Sequence, residues 1–535
     1  MSGRLEAGAK LPSRIDVRKS LIGGEFVQWP ADGKVMEITS PVRASDGGEV
    51  PLGSFPAMSE ADALKAVDAA YTAWNGGGGD WPLYRPDQRI AAVEKWVEGF
   101  KKTAYKQTIE TLQWEICKNN ADAKKEIDRT LEYLAATCEE LRKLENSEST
   151  FNTKGGVIAQ VRRAPYGVAV LAAPFNYPFN ELHVTLFPAL LMGNCVVVKL
   201  PRVGALLHQH SMELFKSCFP PGVVNIIWGS GRATLPPVIR SGKVDIMGFI
   251  GSSNAATNIL KEHPAPHRLR LVLGLDAKNP AIVCPDADLS VAVTQCLAGT
   301  LGFNGQRCTA LKLLYVHADV YDAFLEQFSA AVDALPIGQP FSDAKITPLA
   351  EGANKVKQLR AYVDEAVSKG ARVTTKRSSV TADGEDAPVM APVVVADVTR
   401  EMELFEVEQF GPVVPVIKYT DTAQVLEDIR KSNYGQQASV FSTSPQVVGP
   451  MVDRLANMVC RINLNATCQR GPDHLPFTGR RDSALGTLSI FDAIRAFSIR
   501  TCVATAAFNK DNEKLVNDVL SQRTSSFLRL DYLFP

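Results

Sequence analysis

No two of the ten cysteines form a CxxC pair, which removes the zinc-ribbon and dithiol-redox readings. They lie scattered, several inside apolar runs such as GNCVVVKL, as buried free thiols in a reducing compartment do. Histidine is scarce. Of seven, the tightest grouping is HQH at 208–210, with no cysteine at ligand spacing, so no metal site is expected. Net charge is missing too: Lys plus Arg and Asp plus Glu each total 58. Nothing global draws the chain to nucleic acid or to an anionic membrane, so any affinity for an anion must be local. No apolar run approaches the roughly 20 residues needed to cross a bilayer. The first residues, MSGRLEAGAKLPSRIDVRKS, lack an apolar segment and mix acids with arginines, unlike a secretory signal or transit peptide. A cytoplasmic protein is expected.

What is present is ordinary globular material: 535 residues, 45% apolar and 22% charged, enough for two or three domains with substantial cores. Residues 60–145 carry apolar side chains at three- and four-residue spacing, with GGGGD at 76–80 as a break; this spacing predicts helices. From 157 the texture changes to short apolar runs separated by helical segments: GVAVLAAP, NCVVVKLP, VVNIIWGSG, VDIMGFIGSS and LRLVLG. That alternation predicts a doubly wound parallel sheet of the α/β class, whose ligands bind beyond the carboxyl ends of the strands. Asn176, Lys199, Gly229 to Gly231, Gly251 and Ser252 follow those runs and are candidates for one crevice. A second alternating set (PAIVCP, LKLLYVHA, APVVVAD, GPVVPVIKY, ASVFSTS, CRINLN) predicts a second α/β domain. The tail from 509 is polar, then aromatic.

The second domain contains FNGQRCTALKLLYV, in which Cys308 follows a polar turn and Arg307. A neighbouring cation favours thiolate, the form that attacks carbon. A lone cysteine is otherwise an inert core filler, and from this stretch alone both readings stand.

The stretch has company: PFNYP at 174–178, VVVKLP at 196–201, FIGSS at 249–253, EQFGP at 408–412 and NYGQQASVFS at 433–442. In order and spacing, over about residues 40–505, these strings resemble the motifs of the aldehyde dehydrogenase superfamily. The resemblance implies that Cys308 is the nucleophile that adds to an aldehyde carbon, with Asn176 and the backbone N–H of Cys308 as oxyanion hole. Hydride would pass to a nicotinamide, and water would release the acid from the resulting thioester. Lys199 would bind the ribose hydroxyls or an added phosphate, while Gly229, Gly231 and Ser252 would face the pyrophosphate. Glu408 would hold the nicotinamide ribose, and Phe410 would pack against its ring. Without the resemblance these are a turn asparagine, a strand-end lysine, turn glycines, a surface acid and a core aromatic.

Members of the superfamily that prefer NAD usually carry an acid three residues after that lysine. Here the residue is Arg202, in KLPRVG. A guanidinium pairs with a 2′-phosphate where a carboxylate repels it, so NADP is the expected cofactor, with Arg232 as a second contact. Arg129, Tyr177, Arg307 and Arg470, in EIDRTLEYL, PFNYP, GQRCTA and CQRGPD, resemble the phosphate-binding set of the NADP-dependent non-phosphorylating glyceraldehyde-3-phosphate dehydrogenases. Each arginine alone reads equally as a surface salt bridge.

One motif departs from the pattern. The superfamily's deacylating glutamate sits in LELGGK, where this chain reads LVLGLDAKNPAIV, with Gly274 at the glutamate's place and Asp276 two residues on. Asp276 is the expected base. Glu408 positioning the water, weak deacylation, or transfer to another acyl acceptor are the alternatives, and capping a strand end is the structural reading of Asp276.

By resemblance the architecture is aldehyde-dehydrogenase-like: a cofactor domain at 30–147 and 166–277, a catalytic domain at 278–482, bridging oligomerisation strands at 148–165 and 484–508, and a tail at 509–535. A homo-oligomer, dimer or tetramer, is expected. The expected reaction is NADP-dependent oxidation of glyceraldehyde 3-phosphate to 3-phosphoglycerate. Another anionic aldehyde such as succinic semialdehyde is the enzymatic rival, and a deacylation-deficient relative with a binding role is the non-enzymatic one.

Overall fold

The apolar runs that alternate with helices after residue 166 assemble into two parallel sheets. The computed structural model describes every residue except 1–3, 7, 149, 378–383, 385–386 and 529–535. Its first sheet has the order Val224–Ile227, Cys195–Lys199, Val168–Ala172, Ile246–Ile250, Arg270–Gly274, then Ala484–Leu485. The first five strands are parallel and the last pair is antiparallel. Helices cover both faces, and every residue of Cys195–Lys199 is buried, which is why such strands read as unbroken apolar runs. Strand order reverses beside Val168–Ala172, so connections leave toward opposite faces and a crevice opens beyond the carboxyl ends.

The second sheet runs Arg372–Val373, Val393–Ala396, Val413–Tyr419, Leu311–His317, Asn279–Val283, Gln437–Phe441, Arg461–Leu464. All neighbours are parallel except the first pair. Leu311–His317 is its central strand, and Cys308 lies in the turn just before it. A third sheet pairs Ser498–Ala506 antiparallel with Val157–Pro165, with Asn152–Lys154 outside.

The helical stretch at 89–118 forms two helices, Pro86–Thr103 and Tyr105–Ile116, broken at Ala104, whose φ of −122° and ψ of −15° leave the helical region. The segment 484–508, expected as bridging strands, holds three elements. Ala484–Leu485 closes the first sheet, helix Ile490–Ala496 packs on helices Asn120–Ser147 and Pro178–Leu191, and Ser498–Ala506 pairs with Val157–Pro165. The tail forms helix Lys510–Ser521, and its residues 529–535 lie outside the described ones. Among the described residues, no helix is long and apolar enough to cross a membrane.

One element fixes the site's floor. Helix Pro178–Leu191 is buried on all sides and starts with Pro178, whose missing N–H costs nothing at that position. The N–H groups of Phe179 and Asn180 donate to Glu126 Oε1 at 3.1 and 3.0 Å. Glu126 Oε2 is ion-paired with Lys118, both side chains being fully buried. The long helix Asn120–Ser147 thereby holds the start of Pro178–Leu191, and with it Asn176 and Tyr177. Glu126→Ala leaves a buried ammonium and two helix-start N–H groups without partners, so a loss of about 3–5 kcal/mol is expected. Urea denaturation monitored by tryptophan fluorescence measures it, and a midpoint unchanged from wild type contradicts this account.

Candidate active site

The carboxyl ends of both sheets face one cleft of about 1130 Å³. Asn176 and Tyr177 enter it after strand Val168–Ala172, and Lys199 and Arg202 after Cys195–Lys199. Gly251 and Ser252 follow Ile246–Ile250, and Gly274 and Asp276 sit at and after the end of Arg270–Gly274. The second sheet contributes Cys308, Glu408 and Phe410.

The turn bearing Cys308 is held from several directions. Phe303, Asn304 and Gly305 all have left-handed φ, of 49°, 56° and 73°. A side chain at 305 would strike the Gly411 and Thr300 carbonyls at 2.7 and 2.8 Å, so the glycine is required there. Asn279 Nδ2 donates to the carbonyls of Cys308 and Ala310 at 2.8 and 3.0 Å. Lys312 Nζ donates to the carbonyls of Arg307 and Cys308 at 2.7 and 3.0 Å and pairs with Glu408 at 2.7 Å. Asn176 Nδ2 donates to Gln306 O at 2.9 Å, which ties the segment after strand Val168–Ala172 to this turn. Its amide carries a second hydrogen for a developing oxyanion. Burial raises the Cys308 thiol above its usual value; Glu181 acts in the same direction, and Lys312 against it.

The structure reverses the reading of Arg307. Its guanidinium donates to the Ala298 and Gly299 carbonyls at 3.0 and 2.8 Å, capping the last turn of helix Leu289–Leu301, where a cation is favoured. It neither lines the cleft nor accounts for the state of the neighbouring thiol. Arg129 and Arg470 also stand outside the lining. Arg129 makes a bidentate pair with Asp473 at 2.9 and 2.6 Å. Arg470 is buried behind Phe477, its guanidinium 4.6 Å from that ring, paired with Glu181 and 3.7 Å from Asp473. Tyr177 does line the cleft, under Lys118, whose Nζ lies 3.3 Å from the ring centroid.

On the cofactor side the fit is good. Lys199 is buried, with Nζ on the Leu200 carbonyl, and burial pushes its amine down to about 7. Arg202 is exposed at the cleft rim. Ser252 caps helix Ser253–Leu260 through its hydroxyl, which accepts from Ala255 N, at the cleft wall. Phe410 has φ of +49° and meets Phe175 edge-on at 5.8 Å. Gly231 lines the cleft, but Gly229 and Arg232 do not. Gly229 has φ of +97° and packs on Met58, whose N lies 2.9 Å from where a Cβ would stand. Arg232 is exposed at the second residue of helix Gly231–Arg240.

Asp276 reaches the cleft, where Oδ2 accepts from Ser253 N and Oγ at 2.8 and 2.7 Å. The helix start, not the sulfur, is its partner. Three further residues escape the sequence reading. Glu181 lines the cleft one turn into the helix after PFNYP. Lys312 anchors the Cys308 turn. Glu115, buried and raised to about 7, accepts from the N–H groups of Gly204, Ala205 and Leu206 at 2.8, 2.8 and 3.1 Å, shaping the loop after Arg202. Each is a charge on an otherwise regular helix or strand face, with no local signal to mark it.

Comparison with known proteins gives a consistent result. The aldehyde dehydrogenase family model matches residues 29–503. The NADP-dependent glyceraldehyde-3-phosphate dehydrogenase of Streptococcus equinus is 31% identical over 487 residues, 90% of this chain and 97% of that one. The alpha-ketoglutarate semialdehyde dehydrogenase of Haloferax volcanii is 28% identical, covering 88% and 95% of the two chains. A crystal structure of NADP-dependent glyceraldehyde-3-phosphate dehydrogenase from Bacillus halodurans C-125, complexed with NADP, superposes with a TM-score of 0.80 at 27% identity, covering 91% and 99%.

Because burial raises the Cys308 thiol and Arg307 faces a helix end, alkylation of Cys308 in the cofactor-free protein should accelerate only above the usual thiol range, about 8.5. Arg307→Gln should leave that profile in place. Iodoacetamide labelling followed by mass spectrometry of the Cys308 peptide across pH 6–10.5 tests this, and an acidic midpoint that Arg307→Gln abolishes would restore the discarded reading.

Proposed function

The chain belongs to the aldehyde dehydrogenase family, and from that premise we propose that it oxidises glyceraldehyde 3-phosphate to 3-phosphoglycerate with NADP, without free phosphate. One observation carries the dehydrogenase chemistry: Cys308, Asn176 and Lys199, from three separate segments, line one cleft. Cys308 Sγ adds to the aldehyde carbon, while the free amide hydrogen of Asn176 and the backbone N–H of Cys308 receive the charge that develops on oxygen. The bound cofactor supplies the hydride acceptor. Lys199 and Arg202 hold its ribose and 2′-phosphate, Gly231 and Ser252 face its pyrophosphate, and Glu408 and Phe410 position its nicotinamide end. Strand Ser498–Ala506, paired on one side only within the chain, is the proposed edge for assembly into a dimer or tetramer.

The phosphate reading is supported by the names of the relatives and by Tyr177, Arg129 and Arg470 behind the cleft. A second reading has its own support. Glu181 and Asp473 already neutralise Arg470 and Arg129, an arrangement that suits an uncharged hydroxyaldehyde. A charge-assisted contact is worth about 1.5–3 kcal/mol, so glyceraldehyde 3-phosphate should exceed glyceraldehyde in kcat/KM by roughly ten- to hundredfold. Arg470→Gln should erase most of that margin. Equal or better use of glyceraldehyde selects the second reading, and a preference for a carboxylated semialdehyde over both sinks the phosphate.

Lys199, depressed to about 7, titrates in the working range. The ammonium is the form that binds ribose oxygens or phosphate, so above pH 7 binding must first protonate it. NADP affinity should therefore weaken as pH rises from 7 to 9, with proton uptake visible by calorimetry in buffers of different ionisation heat. Lys199→Met should remove this slope, and a pH-independent Kd in the wild type contradicts the assignment. Arg202→Glu should lower affinity for NADP relative to NAD by about tenfold or more.

A further inference from the structure

The family's deacylating glutamate is replaced by Gly274, so another group must take the proton from the water that releases the acid. Six acidic residues line the cleft, and Glu37, Glu49 and Glu351 are exposed on it. That leaves Asp276, Glu408 and Glu181.

The partners of these three separate them. Asp276 is committed through Oδ2 to the start of helix Ser253–Leu260, and the charges that act most on Cys308 are those of Glu181, Lys312, Glu408 and Arg470. Glu408 is ion-paired with Lys312 at 2.7 Å. Glu181 stands on the other wall. It sits in the first turn of the helix that Asn176 and Tyr177 precede, and of all charges acting on the Cys308 thiol it is the strongest. Arg470 holds Oε1, while Oε2 is buried with no hydrogen-bond partner. A buried carboxylate oxygen left open beside a nucleophile has bonding capacity for one more donor.

We propose that Glu181 is the general base of deacylation, taking the place of the missing glutamate, with Arg470 as the residue that fixes its orientation. This rests on the thioester chemistry proposed above. A water between Glu181 Oε2 and the thioester forms the new C–O bond, and its proton passes to Oε2. The tetrahedral alkoxide meets the same donors as in acylation, from Asn176 and the Cys308 backbone. Its collapse breaks the C–S bond, leaving the carboxylic acid and the Cys308 thiolate. The proton on Glu181 then goes to solvent or back to sulfur. No oxidant or reductant is consumed in this half of the cycle.

The test uses full-length enzyme with NADP and whichever aldehyde gives a wild-type burst, so a wrong substrate shows as a missing wild-type burst and leaves the question of the base separate. In Glu181→Gln the stoichiometric NADPH burst should persist, while steady turnover falls about a hundredfold, the scale of a lost general base. The acyl adduct on Cys308 should accumulate by intact mass, and hydroxylamine, which attacks a thioester without a base, should restore turnover. Glu181→Asp, which keeps a carboxylate for Arg470, guards against misfolding and should show the same burst with slowed turnover. Gly274→Glu added to Glu181→Gln should recover at least tenfold, since a Cβ at 274 meets only the Ile250 side chain, at 3.4 Å and beyond. Turnover within about threefold of wild type in both Glu181 variants overturns the proposal. So does a burst lost in step with turnover in Glu181→Asp, or a collapsed turnover-to-burst ratio confined to Asp276→Asn.

Discussion

The carbonyl of Cys308 is the point on which the site depends. It accepts Asn279 Nδ2 at 2.8 Å and Lys312 Nζ at 3.0 Å, one donor from the neighbouring strand and one from the strand that follows the turn. Lys312 is almost fully buried, and a buried ammonium holds its place only where fixed acceptors surround it. Here they are two carbonyls of the turn and the Glu408 carboxylate. A second lysine does the same work one layer back: Lys278 Nζ donates to the Leu404 and Val407 carbonyls and to Gln409 Oε1 at 2.8, 2.7 and 2.8 Å. The two lysines lock the Cys308 turn to the 404–409 loop, so Glu408 and Phe410 keep their place relative to the sulfur. Such preorganisation is what a reaction through a covalent adduct and a separate acceptor requires.

Charge compensation runs through the whole site. Arg129 with Asp473, and Arg470 with Glu181, form a continuous set in which Asp473 lies near both guanidiniums. An arginine with its own carboxylate gives up less to an incoming anion than a free one, because the gain is a difference between two pairings. The set is therefore better suited to orientation and selectivity than to raw affinity. It also explains how a carboxylate is tolerated in the cleft that holds the Cys308 sulfur, since Arg470 acts on the thiol against the charge of Glu181.

Much of this was legible in the chain. Strands buried on both faces show as unbroken apolar runs, so each run named from the sequence became a strand, and Asn176, Lys199, Gly231, Gly251 and Ser252 meet in one cleft because parallel strands end at one edge. Legibility failed where a side chain's direction depends on distant partners. Arg307 looked like the cation beside the thiolate, but three successive left-handed residues before it turn the guanidinium back onto a helix end. Arg129 and Arg470 find their carboxylates 344 and 289 residues away in the chain, a relation that no local pattern encodes. Gly229 was expected in a phosphate wall through the family resemblance, since GxG alone occurs in any turn, whereas its close approach to Met58 is the constraint it answers.

The cofactor wall shows what shaping a site costs. Glu115 and Lys199 are both buried, and burial raises the acid and lowers the base until both lie at about 7. For Glu115, folding takes up a proton between its unfolded value and 7, so its contribution to stability falls as pH climbs through that window. For Lys199, folding releases a proton between 7 and its unfolded value, so stability rises with pH above 7. The two directions meet near neutrality, where the cofactor-free wall carries its greatest electrostatic burden. The Leu200 carbonyl is one acceptor for the buried Lys199 amine, which has capacity for two more. Glu115 accepts three backbone N–H groups from residues 204 to 206. Glu115 on helix Tyr105–Ile116 and Lys199 at the end of strand Cys195–Lys199 thus set two opposed titrations on the elements that flank residues 200–206.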